Sequence, residues 1–332
     1  MNLNEKFKNL ERTMSHRLPA TRWSIARIDG RAFHTYTRDL DAPCDEKFVS
    51  AMNATLLALC GMEVPVVMGY VQSDEISLLI DNRSLNGTLT PWYGGKVQKI
   101  ISVLASAATA YFNMERAKQG YSNPAFFDAR IIPVKSIEEI GMYFAWRHAD
   151  AVKNTVSMAA HAAFAEKEVN GKTSDERKAM LVEFGKPWED LPLGFRHGRY
   201  AVRELFPETI SFVHGKTKQT ETKDILSKRW VLVDADKYPG MEAFLPAHDV
   251  PRYQKGAELG IDVDALNEYD VSTARIMADV LKGATKVPFS LDSFTHHLPK
   301  LTEDQEKFSR LTQADFEFLT GADLRKSKKM SK

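Results

Sequence analysis

The stretch GYVQSDEISLLI, residues 69–80, has the composition of a buried β-strand, but two adjacent carboxylates, Asp74 and Glu75, interrupt it. Apolar residues precede and follow the pair, as they do in a strand at the centre of a sheet. A carboxylate buried without a partner costs several kcal/mol, so something must compensate its charge. We therefore expect a bound cation at this point of the chain.

The segments PVVMGY and SDEISLLID, on either side of these carboxylates, form a hairpin pattern because only a few residues separate two strand-like runs. Outward from the hairpin the sequence predicts, in chain order, a strand at 22–30, a helix at 45–59, a helix at 96–118, a strand at 126–134 and a helix at 136–166. The order strand, helix, strand, strand, helix, strand is that of ferredoxin-like domains. We predict an α+β fold, an antiparallel sheet with helices packed on it, plus a C-terminal α/β extension.

The flanking segments give weaker patterns. They predict a helix at 3–15, a polar loop at 214–224, a strand at 229–235, a helix at 261–282 and a lysine-rich tail. We divide the chain into an N-terminal domain, a C-terminal region that completes the fold, and a basic tail. The predicted bounds are 1–165, 166–320 and 321–332.

Bulk composition excludes several protein classes. The 332 residues carry a net charge of +1, so any basic surface must be a local patch. The two cysteines, Cys44 and Cys60, form no Cys-x-x-Cys pair, which argues against a zinc-cysteine site or a disulfide framework. No apolar run is long enough for a membrane span and the N-terminus lacks a signal-peptide core, so we expect a cytoplasmic protein without membrane contact.

Asp29, at the end of the first predicted strand, is the natural partner of Asp74. In a ferredoxin-like sheet these strands are neighbours, and two close carboxylates need a cation between them. Mg²⁺ prefers such hard oxygen ligands, and pairs of Mg²⁺ ions serve phosphoryl transfer. Gly30, which follows Asp29, leaves backbone N–H groups free to bind phosphate. The alternative, that both aspartates are ordinary strand-end and turn residues, stays open on spacing alone.

A polar stripe crosses the otherwise apolar helix at 136–166. Its members are three or four residues apart and so share one helix face: Arg147, Asp150, Asn154, Ser157 and His161. A substrate-facing surface and a solvated stripe are both compatible with this pattern.

Taken together, RIDGRAFHTYT (27–37) and GYVQSDEISLLI resemble the two metal-site motifs of the tRNA(His) guanylyltransferase family, and FFDARIIPV and WRHAD resemble later blocks in the same order. The resemblance covers residues 1–205 and implies that 1–165 form a polymerase-like palm, the catalytic domain, and that 166–320 contribute to RNA binding or oligomerisation. It implies that Asp29, Asp74 and the Gly30 carbonyl bind two Mg²⁺ ions. Glu75 would support catalysis, and the stripe residues other than His161 would face RNA or a second nucleotide. The implied triphosphate contacts are Asp29, Gly30, Arg31, Ala32, Phe33, His34, Ser73 and Asp74.

The resemblance also implies a reaction and partners. Family members add nucleotides to tRNA in the 3′→5′ direction, after ATP activates the 5′-monophosphate, with GTP or another nucleoside triphosphate as the incoming nucleotide. It further implies a homo-oligomer, namely a tetramer. Candidate basic contacts to tRNA are Lys216, Lys218, Lys223, Lys228, Arg229, the basic residues of 196–199 and the lysine tail.

The sequence departs from the family's eukaryotic pattern at two places, and these departures bear on whether guanosine addition to tRNA(His) or 5′-end repair is expected. Val152, Lys153, Asn154 and Thr155 stand where that pattern has His-Ile-Asn-Asn, and Ala42 replaces a lysine before Pro43. These changes favour the bacterial or phage-like branch and 5′-end repair over guanosine addition to tRNA(His). Two alternatives remain: a palm-type nucleotide cyclase or other nucleotidyltransferase without an RNA substrate, and a non-catalytic RNA-binding protein.

Overall fold

The computed structural model describes residues 2–19, 21–83, 89–213, 215, 218–243, 245, 249–259, 263 and 313–320. Two compact units divide the chain, Met1–Phe244 and Leu245–Lys332. The sheet and every candidate site residue lie in the first unit. None of the helices in these ranges is long and apolar enough to cross a lipid bilayer.

One antiparallel sheet forms the centre of the first unit. Its strands are β1 (Trp23–Gly30), β2 (Val66–Gln72), β3 (Glu75–Asp81), β4 (Phe127–Val134), β5 (Arg199–Val213) and β6 (Thr220–Asp234). They lie in the order β4-β1-β3-β2-β5-β6, and every neighbouring pair is antiparallel. The predicted hairpin is confirmed as β2 and β3, and the predicted α+β class is confirmed with it.

The helices of the first unit are α1 (Leu3–Thr13), α2 (Phe33–Tyr36), α3 (Glu46–Cys60), α4 (Val97–Lys118), α5 (Ile137–Ala163), α6 (Glu166–Val169), α7 (Ser174–Glu183) and α8 (Leu193–His197). The second unit contains α9 (Val250–Leu259) and a further helix at Gln313–Thr320. Side-chain caps explain why two of the predicted helices begin where they do. Asp45 Oδ1 accepts from Phe48 N at 2.7 Å at the start of α3, and Ser136 Oγ accepts from Glu139 N at 3.2 Å at the start of α5.

The two faces of the sheet pack against different helices because successive strand residues point to opposite sides. Ile28 and Ile76 lie in the hydrophobic core that the sheet forms with α3 and α4. The opposite face meets α5, where the Ser77 and Tyr143 hydroxyls are 2.8 Å apart. Asp29 and Glu75 alternate with the core residues, so their side chains belong to the α5 face.

The prediction of a polar loop at 214–224 is wrong in part. Thr220 already pairs with Val213, and the β5–β6 ladder runs from there to Asp234 opposite Arg199. The distal half of this ribbon exposes both of its faces, so its residues are largely polar and lack the alternation that indicates a strand. The same lack of alternation explains why the sequence did not predict β5.

The boundary predicted between residues 165 and 166 lies inside the first unit, where α5 packs against α7 and α8. The assignment of separate functions to 1–165 and 166–320 stays a prediction. In the second unit, Arg252 Nε donates to the Leu319 carbonyl at 2.9 Å and joins α9 to the helix Gln313–Thr320. The predicted helix at 261–282, except Val263, and the basic tail lie outside the described residues.

Candidate active site

The carboxylates of Asp29 and Asp74 are brought together at one end of the sheet. Asp29 is the penultimate residue of β1, and Asp74 sits with Ser73 in the turn between β2 and β3. Ser73 adopts a left-handed backbone conformation with φ of 47°. Gly30 N donates to the Asp74 carbonyl at 3.1 Å, so the turn is tied to the strand that carries Asp29.

Electrostatics at this strand end are unfavourable for two free negative charges. Burial raises the pKa of Asp74 to about 6, its own backbone N–H and the Ser73 hydroxyl oppose that shift, and the charge of Asp29 adds to it. No described residue forms an ion pair with this carboxylate, so a positive partner within that part of the chain does not offset its burial. A cation bound between Asp29 and Asp74 would remove this cost.

The chain after Asp29 offers a row of free backbone donors. The N–H groups of Gly30 and Arg31 are used, since they donate to Asp74 and Phe126, respectively. Those of Ala32, Phe33 and His34 have no acceptor among the described residues. Ala32 is left-handed, with φ of 57°, and consecutive free N–H groups around such a residue form a concave anion-binding surface.

Gly30 is required by close packing. A Cβ atom there would lie 2.4 Å from Cδ2 of Phe33, a ring that is only 4% exposed. Phe33 in turn contacts the rings of Phe48, Phe112 and Phe127. The Phe33 side chain therefore fixes the loop from the core side, while the backbone of the loop is what can contact a phosphate.

Glu75 is engaged by a buried arginine. Arg147 Nε and Nη2 each donate to one Glu75 oxygen at 2.7 Å, and Arg27 Nε lies 3.9 Å from Oε2. Burial raises the pKa of Glu75, and the charge of Arg147 opposes that shift. With both oxygens occupied, Glu75 holds β3 to α5. The prediction that Arg147 faces substrate stays untested, but its guanidinium is committed to this pair.

The rest of the polar stripe continues from this pair along α5. Asp150 accepts from Arg147 Nη2 at 2.9 Å and from Asn154 Nδ2 at 3.3 Å. Ser157 Oγ accepts from Arg177 Nη1 at 2.9 Å. Arg177 lies on α7, and no spacing in the sequence links it to this site.

A cleft of about 560 Å³ joins the two halves of the site. On one side lie the loop before α3, His34 and the Ser73–Asp74 turn, and on the other lie Asn154, Ser157 and His161 of α5. Phe195 and Arg199, from α8 and β5, complete the wall. Asn154 and Ser157 thus reach the same cleft as Asp74, whereas Arg147 and Asp150 are not among its lining residues.

The donors at the strand end fit Mg²⁺. In the described part of the chain no three His, Cys, Asp or Glu side chains are grouped to hold a metal ion. Mg²⁺ does not need such a group, because proteins commonly hold it with one or two carboxylates and leave the other positions to water and substrate phosphates. Asp29, Asp74 and the Gly30 carbonyl supply the hard oxygen atoms for that arrangement.

Comparisons with known proteins show which sequences and structures this chain resembles. The family model described as tRNAHis guanylyltransferase matches residues 4–135. A probable tRNA(His) guanylyltransferase of Dictyostelium discoideum is 28% identical over 65% of this chain and 87% of its own length. A bacterial tRNA(His) guanylyltransferase-like protein solved in complex with ATP is 31% identical, with a TM-score of 0.60 over 73% of this chain and 95% of that chain.

The same bacterial type of protein has been solved in complex with GTP, and that structure matches with 31% identity and a TM-score of 0.56 over 72% of this chain and 94% of that chain. The likeness covers nearly three quarters of this chain and is therefore not confined to the two acidic motifs. From this agreement in sequence and fold, the chain belongs to the tRNA(His) guanylyltransferase family of nucleotidyltransferases.

Proposed function

We propose that this chain is a Mg²⁺-dependent nucleotidyltransferase that adds nucleotides in the 3′→5′ direction to the 5′ end of tRNA, with template-directed repair of truncated ends as its reaction. One observation carries the proposal: Asp29 and Asp74 meet at a strand end beside the free N–H groups of Ala32, Phe33 and His34. That combination suits a metal-bound triphosphate.

Each part of the site would have its own task. Asp29, Asp74 and the Gly30 carbonyl would hold Mg²⁺, which when bound stabilises negative charge on attacking and leaving oxygens. The free N–H groups would bind phosphate oxygens, and the exposed Ser73 hydroxyl would donate to the same group. Glu75, held by Arg147, would keep the turn that carries Asp74 in position.

The reaction has two balanced steps. An oxygen of the tRNA 5′-monophosphate attacks the α-phosphorus of ATP, and pyrophosphate leaves. The 3′-hydroxyl of an incoming nucleoside triphosphate then attacks the activated 5′-phosphorus, loses its proton, and AMP leaves. The chain contributes mainly positioning and fixed donors, which is how most phosphoryl-transfer sites accelerate their reactions.

Repair is preferred to guanosine addition because of the departures at Ala42 and Val152. With neither the lysine nor the histidine of the eukaryotic pattern, base pairing with the opposite strand of the acceptor stem would select the nucleotide.

An extension assay tests the proposal. Full-length tRNA(His) and a 5′-truncated tRNA are each offered with one nucleotide at a time, ATP and Mg²⁺. We expect template-matched addition to the truncated tRNA, and its loss in Asp29→Ala and Asp74→Ala. Asp128→Ala is the matched control, because Asp128 lies opposite Asp29 on β4 and is exposed.

Each other outcome has a defined meaning. Guanosine addition opposite a non-pairing base would favour tRNA(His) maturation over repair. A cyclic product from labelled GTP without RNA would favour the cyclase. Binding of tRNA without any product, unaffected by chelation of Mg²⁺, would favour a non-catalytic RNA-binding protein. Activity retained in a folded Asp29→Ala or Asp74→Ala variant would show that the metal assignment is wrong.

A further inference from the structure

Arg199 is a cation at the wall of the cleft, and the Asp234 carboxylate lies near it without forming an ion pair. It is the first residue of β5, and its Nε donates to Asn53 Oδ1 on α3 at 2.7 Å. Its two terminal amino groups have no hydrogen-bond partner among the described residues. No carboxylate of the described residues forms an ion pair with it, including Asp234, which lies opposite it on β6.

The arginine is fixed in place by packing as well as by Asn53. Gly194 of α8 lies directly over it, since a Cβ there would be 2.9 Å from both Cγ and Nη1 of Arg199. A side chain confined from two sides loses little further entropy when its remaining donors bind a ligand. The guanidinium is therefore preorganised toward the cleft.

The electrostatic setting favours an anion here. Burial lowers the pKa of Arg199, and the charge of Asp234 opposes this shift. Arginine does not release its proton in proteins, so a partly desolvated guanidinium is compensated by a bound anion. Among the described residues that line the cleft, the other side chain with a permanent positive charge is Arg38, which is exposed.

The residues across the cleft indicate which anion fits. Arg199 shares the cleft with Ser73 and Asp74 at the proposed metal site and with Asn154 and Ser157 on α5. A planar guanidinium with free amino groups matches the oxygens of a phosphate. We propose that Arg199 binds a substrate phosphate in this cleft. The proposal rests on the proposed function, in which that phosphate belongs either to a nucleoside triphosphate or to the 5′ end of the RNA.

Equilibrium binding tests this without turnover. The probes are ATP, GTP, and one truncated tRNA prepared with a 5′-phosphate and with a 5′-hydroxyl. For Arg199→Met we expect at least about tenfold weaker binding of the probe whose phosphate it contacts, because a charge-assisted bidentate contact is lost. Arg199→Lys keeps the charge without the planar fork, so we expect an intermediate loss.

Arg203→Met is the matched control. Arg203 lies four residues further along β5, is exposed, and stacks over Trp230; it is not among the residues that line the cleft. Weaker ATP and GTP binding in Arg199→Met would assign the contact to the nucleotide. Loss of the preference for 5′-phosphorylated over 5′-hydroxyl tRNA would assign it to the RNA. Unchanged binding of every probe by folded Arg199→Met, or an equal loss in Arg203→Met, would overturn the proposal.

Denaturation in urea verifies that the variants are folded, and Arg199→Lys carries the test if Arg199→Met does not fold.

The two proposals fail separately. If the unaltered chain binds the probes through Arg199 but extends no tRNA, the proposed function fails and the phosphate contact stands. If Arg199→Met and Arg199→Lys both extend tRNA with unchanged KM for every substrate, the contact fails and the proposed function stands.

Discussion

Burial and negative charge conflict at Asp74. The turn that holds it is anchored by a hydrogen bond from Gly30 N to the Asp74 carbonyl. Its pKa is about 6 in the folded chain against an ordinary value of 3.8. A carboxylate in that state binds a proton or a metal ion more readily than an exposed one.

This shift makes the stability of the metal-free chain depend on pH. Since the folded pKa lies above the unfolded value, the stabilising effect of the proton is complete below pH 3.8 and is lost as the pH rises through about 6. We expect Asp74→Asn, in the presence of a chelator, to raise the free energy of unfolding at pH 7.5 by on the order of 2 to 3 kcal/mol. At pH 4 we expect no such gain. Urea denaturation at both values measures the difference.

Asp128→Asn is the control for that measurement, because its carboxylate is exposed and paired with Arg130. It should give no comparable gain at pH 7.5. Addition of Mg²⁺ should stabilise the unaltered chain more than Asp74→Asn. An Asp74→Asn variant with the same relative stability at pH 4 and pH 7.5 would contradict the assignment of an unpaired carboxylate.

At the scale of elements, the pair between Arg147 and Glu75 joins α5 to the strand that follows the turn carrying Asp74. Their side chains are 6% and 7% exposed. Removal of one partner from a buried pair leaves an uncompensated charge. The pair therefore stabilises the position of β3 relative to α5, and with it the position of Asp74.

Replacement of this arginine should be costly. We expect Arg147→Met to lower the free energy of unfolding by about 3 to 5 kcal/mol. The double variant with Glu75→Gln should lose less than the sum of the two single variants, with a coupling of about 1 kcal/mol or more. Urea denaturation of all four proteins measures the cycle.

An exposed pair on the same face is available for comparison. Arg130 and Asp128 are 52% and 56% exposed, so Arg130→Met should cost less than about 1 kcal/mol. A cost for Arg147→Met no larger than that for Arg130→Met would mean that the buried pair does not hold α5 to β3.

At the scale of the whole molecule, the β5–β6 ribbon bears on the predicted oligomeric state. Leu205, Val213 and Leu226 on it are each more than half exposed. A two-stranded ribbon has little stability of its own, and exposed apolar side chains are typical of surfaces that meet another chain. The homo-oligomer implied by the family resemblance stays a prediction. The exposed apolar side chains of the ribbon offer a surface on which another chain could pack.

Light scattering during size-exclusion chromatography measures the oligomeric state directly. We expect a mass four times that of the 37.5 kDa chain, because the family resemblance implies a tetramer. The mass should be constant over a tenfold range of protein concentration if the assembly is tight. A mass of one chain at micromolar concentration would contradict the prediction.

Local patterns alone were enough to predict the elements that run from β1 to α5. Alternation, capping residues and the short hairpin depend on neighbours in sequence, and the bounds of β2, β3, α3 and α4 agree with those signals within a few residues. The two acidic motifs likewise identified Asp29 and Asp74. The sequence did not predict the full β5–β6 ribbon, because its outer half has no buried face and therefore no alternation of apolar and polar residues.

The amino-acid sequence by itself determined the α+β class, the order of the palm-like elements and the family. Tertiary structure decided which side chains meet. It paired Glu75 with Arg147 from 72 residues away, brought Asn154 and Ser157 to the cleft of Asp74, and put Arg199 and Ala42 in the lining of that same cleft. Such contacts depend on helix packing and strand register across long separations, and no local spacing encodes them.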